Sequence, residues 1–357
     1  MNITFLIGNG FDLNCGLDSS YSSVCEAYIA STSQSATIQK FKDHMSKDIE
    51  TWGAFEERMA RDMDSFDSEE AFLECLYDFI HYLDDWLQTQ QHTFFQRMGQ
   101  NAGNRENVVR EMQNSIDGFY KVLSKNEENL VYAMKDQNQH TIYKAIVFNY
   151  TTVFDVLWEM TSSKSNANSQ DGELFDCYDK PIHIHGYLEN NMILGVDNLT
   201  QLPPSLQYPL SIRTSHSFVK PLLNDLYDTK RVKASEDAIQ SSDIICVFGM
   251  SLGLTDVRWK NELTKWLLEN ENHQLFFYWH EYTVLYGLTL PERIAKMNDA
   301  KIAFLENVMQ LDEETSDKLL KQIHVPCCSN IFNLNDVIED PPTRPAELAI
   351  APVFIKR

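Results

Sequence analysis

Small and polar residues that could do chemistry follow four short apolar runs of the sequence. They occupy residues 8–12, 149–152, 185–186 and 249–251. Three of them suit the cleavage of a sugar bond. The Asp12 carboxylate could stabilise a developing positive charge, the His185 imidazole could accept a proton near neutral pH, and the Asn149 amide could orient a sugar hydroxyl or a water molecule.

The first of these sets has the form of a phosphate-binding turn. Gly8 and Gly10 lack a Cβ, so the backbone is free to adopt positive φ and to let phosphates approach its N–H groups. Gly16 completes the spacing G-x-G-x(5)-G, which differs from the dinucleotide fingerprint G-x-G-x-x-G. Glycines alone also fit an ordinary strand–turn–helix junction. Asp12 favours a site, because a carboxylate beside bound phosphate is unfavourable unless it holds a ribose hydroxyl or does chemistry.

The apolar runs ahead of these residues predict the strands that position them. Residues 4–7, 145–148, 182–185 and 243–248 are short and apolar, and helical patterns separate them. This alternation is typical of a parallel α/β sheet. Ligands bind such sheets beyond the carboxyl ends of the strands, where the strand order reverses. We therefore expect the four sets to converge on one cleft, although a single strand histidine is more often an ordinary core residue.

The remaining sequence predicts three segments. Helical periodicity runs through residues 18–141, with a loop at 96–107, and a further helix is expected at 218–240. Residues 192–196, 274–279 and 301–305 are further strand candidates, and an irregular tail follows residue 325. The predicted division is an α/β core at 1–17 and 142–310, a helical insertion at 18–141 and a C-terminal extension at 311–357.

Composition limits the classes of partner. Thirty Lys and Arg against 52 Asp and Glu give a net charge of −22, which repels nucleic acid and anionic membranes. The seven cysteines form no C-x-x-C pair, which argues against a disulfide framework or a zinc ribbon. No apolar run approaches the roughly 20 residues of a membrane helix, and no secretory leader pattern is present. We expect a cytoplasmic protein that contacts neither nucleic acid nor membrane.

Several landmarks resemble the bacteriophage abortive infection AbiH family. They are L-I-G-N-G-F-D-L-N-C-G-L, W-G-A-F-E, V-F-N-Y-T-T, H-I-H-G and V-F-G-M-S-L, and they span residues 4 to about 260. The same blocks are similar, in the same order, to the NAD-binding motifs of sirtuins. The resemblance implies a sirtuin-like, Rossmann-type α/β fold, in which a mostly parallel, doubly wound sheet carries a large helical insertion.

Departures from the sirtuin pattern limit the activity that the resemblance implies. The chain lacks the four-cysteine zinc module, Asp12 replaces the motif serine, and Thr151 replaces the aspartate of Q-N-I-D. Protein deacetylation is therefore not expected. What the resemblance implies instead is anti-phage defence through cleavage of NAD to nicotinamide and ADP-ribose, with no metal.

Each candidate residue receives a role under this hypothesis. His185 is the predicted base, Asn149 orients ribose or water, and Asp12 stabilises the cation. The predicted contacts to the cofactor come from Gly8, Asn9, Gly10, Phe11, Thr151, Gly249, Ser251 and Asp256. Glu56 is a further candidate, which fits a surface acid at least as well.

Two other functions remain open on the sequence. A nucleotide-binding sensor or interaction protein would keep the cleft without turning NAD over. A metal-dependent hydrolase would use His183 and His185, which share a face if their segment is a strand, together with Asp197. The predicted partners are NAD or a related nucleotide and, for a defence protein, a second copy of the chain or another defence protein.

Overall fold

A seven-stranded sheet forms the centre of the molecule. The computed structural model describes residues 1–122, 125–137, 140–167, 176–203, 211–279, 289–326 and 331–338. All strand pairs are parallel, and the order across the sheet is β3–β2–β1–β5–β6–β7, with β4 also paired to β2. The strands are β1 (Asn2–Ile7), β2 (Ile142–Val147), β3 (Cys177–Tyr178), β4 (Ile182–His183), β5 (Ile244–Phe248), β6 (Gln274–Tyr278) and β7 (Ile323–His324). The predicted α/β fold with a parallel sheet is confirmed.

The strand order reverses beside β1. After β1 the chain adds β2 on one side, and it later returns to add β5 on the other side. Phe5 lies between Ala145 of β2 and Cys246 of β5 in the register. Since these strands have neighbours on both sides and helices on both faces, their residues are almost all buried, which explains their uninterrupted apolar runs.

Fourteen α-helices surround the sheet in the described residues. Polar caps fix several starts: the side chains of Ser20, Ser35, Ser68 and Asn101 each accept a backbone N–H in the first turn of a helix. The helices are α1 (Gly10–Asn14), α2 (Tyr21–Ala30), α3 (Ala36–Met45), α4 (Phe55–Arg61), α5 (Glu69–Gly99), α6 (Ala102–Gly118), α7 (Lys125–Asp136), α8 (Val153–Ala167), α9 (Ile212–Phe218), α10 (Lys220–Tyr227), α11 (Thr229–Gln240), α12 (Val257–Glu269), α13 (Leu290–Ala303) and α14 (Glu313–Leu319). In the described part of the chain, none is long and apolar enough to cross a membrane.

Two hydrophobic cores cover the two faces of the sheet. One face packs against α1, α6, α8 and the end of α5, and Phe332 closes this core against the rings of Phe5, Phe11 and Phe248. The other face packs against α11, α12, α13 and α14. Alternate residues of β1 and β5 therefore enter opposite cores, as a two-sided sheet requires.

A third core builds a cap over the carboxyl ends of the strands. We define the cap as residues 21–87 together with 188–203 and 211–219, whose buried side chains form one cluster. Its centre contains the stacked rings of Phe55 and Phe79, 3.7 Å apart, and the fully buried Trp52. The predicted helical insertion therefore contributes to two cores. Most of it builds the cap, whereas α6 and the C-terminal end of α5 pack on the sheet. The predicted domain boundaries themselves stay predictions.

Several predicted elements are wrong. Residues 301–305 lie in α13 and the following π-helical turn Phe304–Val308, and residues 192–196 form no strand beyond an isolated bridge between Val196 and Val219. The loop expected at 96–107 is helical on both sides of residues 100–101, and the helix at 218–240 is split among α9, α10 and α11. α8 extends to residue 167, whereas residues 168–172, Cys327 and Cys328 lie outside the described residues.

Gly8 and Gly10 allow two backbone turns to approach closely, and they do not use the positive φ that glycine permits. Neither has positive φ, whereas Gly249 does, at +70°. The N–H of Gly8 donates to the Phe248 carbonyl at 2.9 Å, and that of Gly10 donates to the Gly249 carbonyl at 3.0 Å. A Cβ on Gly10 would lie 2.5 Å from the Gly249 Cα. The two turns that follow β1 and β5 are therefore locked together by main chain.

We expect Gly10→Ala to destabilise the protein by about 3 kcal/mol, because neither backbone can move aside without breaking these hydrogen bonds. Gly99→Ala is the control, since a Cβ at the end of α5 meets nothing within 4 Å. That control should change stability by less than about 1 kcal/mol. Urea unfolding followed by circular dichroism measures both variants. Equal midpoints for the two would contradict the proposed locking of the turns.

Candidate active site

A cavity of about 190 Å³ lies between the cap and the carboxyl ends of the strands. All four sets of residues singled out in the sequence contribute to it, which places it where the strand order reverses between β1 and β5. Its other walls come from the cap, the start of α10, Ser19 and the turn before α12. Its lining comprises Gly8, Asn9, Asp12, Ser19, Tyr21, Glu56, Leu83, Leu87, Phe148, Asn149, Tyr150, His185, Lys220, Gly249, Met250, Ser251, Thr255 and Asp256.

Three of the predicted site residues do not line this cavity. Phe11 is fully buried in the core, where its ring packs edge-on against Phe154 and Phe332. Gly10 packs on the turn after β5, and Thr151 lies behind Asp12. These three positions support the site from behind, so the prediction of direct cofactor contacts from them does not fit the structure.

Asp12 is a buried carboxyl whose proton affinity is strongly raised. The Thr151 hydroxyl lies 2.9 Å from both carboxylate oxygens, to which it donates. Burial raises the pKa of Asp12 to about 7, although the Thr151 hydroxyl, the Asn149 amide and His183 each act to lower it. Asp155 acts in the same direction as burial. Asp12 therefore exists in both protonation states at neutral pH, as carboxyl groups that take part in chemistry often do.

The Asn149 side chain is a buried amide at the cavity without well-formed hydrogen bonds. It follows β2, and its side chain is 4% exposed. Both its Oδ1 and its Nδ2 are buried without a well-formed hydrogen bond among the described residues. An unpartnered buried amide costs about 1–3 kcal/mol, so it is normally retained for a reason. A ligand hydroxyl or a water molecule in the cavity would supply the missing partner.

His185 is a neutral imidazole two residues after the end of β4. Gly186 follows it with φ of +70°, which turns the chain away from the sheet. The ring lies edge-on to Phe148, with centroids 5.6 Å apart. Burial lowers the pKa of His185 well below its usual value, and the positive charges of Lys220 and Arg231 lower it further. The ring is therefore unprotonated at neutral pH and is available to accept a proton.

A buried ion pair joins the cap to the core at this cavity. The Lys220 amine of α10 lies 2.7 Å from the Glu56 carboxylate of α4, and both side chains are almost fully buried. Glu56 also accepts from the Gly195 N–H and the Tyr21 hydroxyl, each at 3.4 Å. Glu56, which the sequence left open as a site residue or a surface acid, thus lines the cavity. Sequence reasoning missed Lys220, whose signal was a lysine inside the apolar stretch F-V-K-P-L-L.

Asp256 faces the cavity and does not cap α12. It occupies the position before that helix, but its side chain accepts no N–H there. Burial raises the pKa of Asp256 to about 6, and Lys220 opposes that rise. The cavity thus contains three carboxyl groups and one amine, so its lining favours a neutral or cationic ligand group over an anionic one.

The metal-site alternative loses its geometric basis in the structure. β4 ends at His183, so the alternation of a strand does not continue to His185. His183 contacts Asp155, whereas His185 lines the cavity, and Asp197 accepts the backbone N–H of Arg258 at 3.0 Å. No group of three or more metal-ligating side chains occurs within the described ranges.

Comparison with known proteins identifies the family. The family model described as Bacteriophage abortive infection AbiH matches residues 4–279, which is more than half of the chain. No curated protein and no solved structure matched. The match begins in β1 and ends just after β6, so it includes every strand whose end contributes to the cavity. The chain therefore belongs to the AbiH family, and its role is in abortive infection against bacteriophage.

Proposed function

We propose that this cavity cleaves NAD between nicotinamide and ribose and that the loss of NAD is how the protein acts in abortive infection. One observation carries the proposal. Asp12 with its raised pKa, the buried Asn149 amide, which has no well-formed hydrogen bond among the described residues, and the neutral His185 line the same cavity at the reversal of strand order. Carboxyl and imidazole groups with shifted pKa values that share one cavity are typical of active sites.

Each group matches a requirement of the reaction. As the glycosidic bond breaks, its electron pair leaves with nicotinamide and positive charge develops on the ribose. The ionised form of Asp12 stabilises that charge. Asn149 orients the attacking water, whose oxygen bonds to C1′ while His185 takes its proton. The products are nicotinamide, ADP-ribose and one proton.

The lining fits the nicotinamide–ribose end of NAD better than the pyrophosphate. Three carboxyl groups suit the cationic nicotinamide ring, and the Asn149 amide suits a ribose hydroxyl or water. By contrast, the N–H groups of Gly8 and Gly10 are already donated within the protein. Ser251 and Lys220 are donors that the cavity offers to an anion, and Lys220 is paired with Glu56. The pyrophosphate would therefore lie towards the mouth of the cavity.

The internal hydrogen bonds of the Gly8 and Gly10 N–H groups favour a second candidate function. Since the glycine N–H groups are not free to hold phosphates, a non-catalytic sensor that binds a nucleotide fragment or a nucleoside is consistent with the cavity. Such a sensor needs the Asn149 amide but neither the base nor the cation stabiliser. The two functions therefore differ in what Asn149→Ala and His185→Ala should do to binding and to turnover.

Incubating the purified full-length chain with NAD tests the proposal directly. Nicotinamide and ADP-ribose, quantified by mass spectrometry, should form in the wild type with phage lysate present or absent. They should fall at least about 100-fold in His185→Ala. Calorimetry on the same samples measures binding. Binding without products in either condition would replace the enzyme by the sensor, and neither binding nor products would remove both functions.

A further inference from the structure

His183 has an acceptor at each of its two ring nitrogens. Nδ1 lies 3.1 Å from the backbone carbonyl oxygen of Asn149, and Nε2 lies 2.7 Å from a carboxylate oxygen of Asp155. A carbonyl oxygen accepts and never donates, so Nδ1 must carry a proton. A neutral ring would then leave Nε2 as an acceptor facing a second acceptor.

The contact with Asp155 therefore needs a second proton. Either Nε2 carries it and His183 is an imidazolium, or the Asp155 carboxyl carries it. In water an imidazole nitrogen is a stronger base than a carboxylate oxygen. The Asp155 side chain is 27% exposed and so keeps solvent contact as a carboxylate, whereas His183 is 6% exposed. Both facts favour the imidazolium–carboxylate pair.

This ring stands directly behind the proposed catalytic groups. Through Nδ1 it holds the backbone of Asn149, whose side chain has no well-formed hydrogen bond of its own. His183 also acts to lower the pKa of Asp12, and it is one of the groups that lower the pKa of His185. One positive charge would thus favour the ionised form of Asp12 and the neutral form of His185 together.

We propose that His183 is a buried imidazolium that positions Asn149 and favours the ionised form of Asp12, so that the two histidines of H-I-H have opposite charge states and different tasks. His183 is a positioning residue, since it does not line the cavity. Its effect on turnover rests on the proposed NAD cleavage, whereas its charge and its effect on Asp12 do not.

The charged and titratable groups around these two residues define the test. Asp12 is surrounded by Thr151 and Asn149 after β2, Asp155 of α8, His183 of β4 and the Cys15 thiol next to α1. His183 is also packed against the ring of Tyr187, with centroids 5.1 Å apart, and it lines a second cavity together with the charged residues Asp155, Lys180, Asp228 and Arg231.

Two substitutions therefore separate the charges. Asp155→Asn removes the carboxylate and lets the amide donate to an unprotonated Nε2. His183→Asn removes the imidazolium but retains a donor for the Asn149 carbonyl.

Selective labelling gives a readout that needs no activity. In ¹⁵N-histidine NMR, both ring nitrogens of His183 should carry protons at pH 7 in the wild type, and only Nδ1 in Asp155→Asn. In ¹³C-carboxyl NMR, Asp12 should titrate about one pH unit higher in His183→Asn than in the wild type, because a nearby positive charge is lost. The shift in Asp155→Asn should be smaller, since opposite charges leave together. The exposed His81→Asn is the control and should leave the titration unchanged.

Two results would overturn the inference. One is a singly protonated His183 ring in the wild type at pH 7, and the other is an unchanged Asp12 titration in folded His183→Asn. Where NAD is cleaved, the acid limb of the kcat/KM profile should move to higher pH in His183→Asn by the same amount as the Asp12 titration. Absence of cleavage together with the expected NMR results would overturn the proposed function alone.

Discussion

Exchanging Asp12 for Asn is expected to lower NAD cleavage at least about 100-fold and, at the same time, to stabilise the folded chain above pH 7. Activity falls because an amide cannot supply the negative charge that stabilises the sugar cation. Stability rises because the native state no longer has to hold a buried carboxylate. The Thr151 hydroxyl keeps an acceptor in the Asn oxygen, so no hydrogen-bond donor is orphaned.

The pH dependence of stability gives the sign of this effect. The pKa of Asp12 rises from 3.8 in a model peptide to about 7 in the fold, so the folded state binds this proton more tightly than the unfolded state. Its contribution to stability is fully present below about pH 4 and is lost as the pH rises through 7. The difference amounts to roughly 4 kcal/mol, which should be missing from the pH profile of Asp12→Asn.

Urea unfolding at pH 5 and pH 8, together with product assays, measures both parts of this prediction. Asp64→Asn is the control, because Asp64 is exposed and should change neither quantity. An Asp12→Asn protein that retains wild-type turnover would exclude this residue as the cation stabiliser. A pH profile of stability like that of the wild type would show that Asp12 titrates normally.

Replacing Lys220 by Met is expected to destabilise the protein by about 3–5 kcal/mol, because it leaves the Glu56 carboxylate buried without its cation. The loss should be felt mainly where the cap meets the core, since Glu56 belongs to α4 and Lys220 to α10. The double variant Glu56→Gln/Lys220→Met should recover most of the stability. Denaturant unfolding of the wild type, the single variants Lys220→Met and Glu56→Gln, and the double variant measures the coupling between the two side chains.

An exposed ion pair provides the matched control for this prediction. Lys40 and Asp67 also lie 2.7 Å apart, but their side chains are 66% and 77% exposed. Lys40→Met should therefore cost less than about 1 kcal/mol. A similar loss in Lys40→Met and Lys220→Met, or no recovery in the double variant, would contradict the role assigned to the buried pair.

Local sequence was sufficient for the central strands and for the place of the cavity. The last three residues of β1, the last three of β2 and all of β5 are buried, so each of these stretches reads as an apolar run. Parallel topology brings the carboxyl ends of the strands to one edge of the sheet, which is why the sequence predicts that Asn149, after β2, and His185, after β4, share a cavity.

Residues that depend on tertiary contacts could not be predicted in this way. Lys220 meets Glu56 across 164 positions of sequence, and no local pattern records that pairing. The run K-I-A-F-L at 301–305 fits a strand or a buried helix equally well, and it is helical because α13 extends to Ala303 and a π-helical turn follows from Phe304. β7 was missed because two residues leave too little pattern to detect. Phe11 follows a glycine turn but enters α1, which directs its ring into the core.

The residues after 279 complete both the sheet and one of its hydrophobic cores. β7 extends the sheet beyond β6, and Phe332 seals the rings of Phe5, Phe11 and Phe248. All of this lies after residue 279, where the family match ends. A protein truncated at residue 279 would leave β6 as an unpaired edge strand and would expose the rings that Phe332 covers. The segment needed for a complete core is therefore longer than the segment that the family model matches.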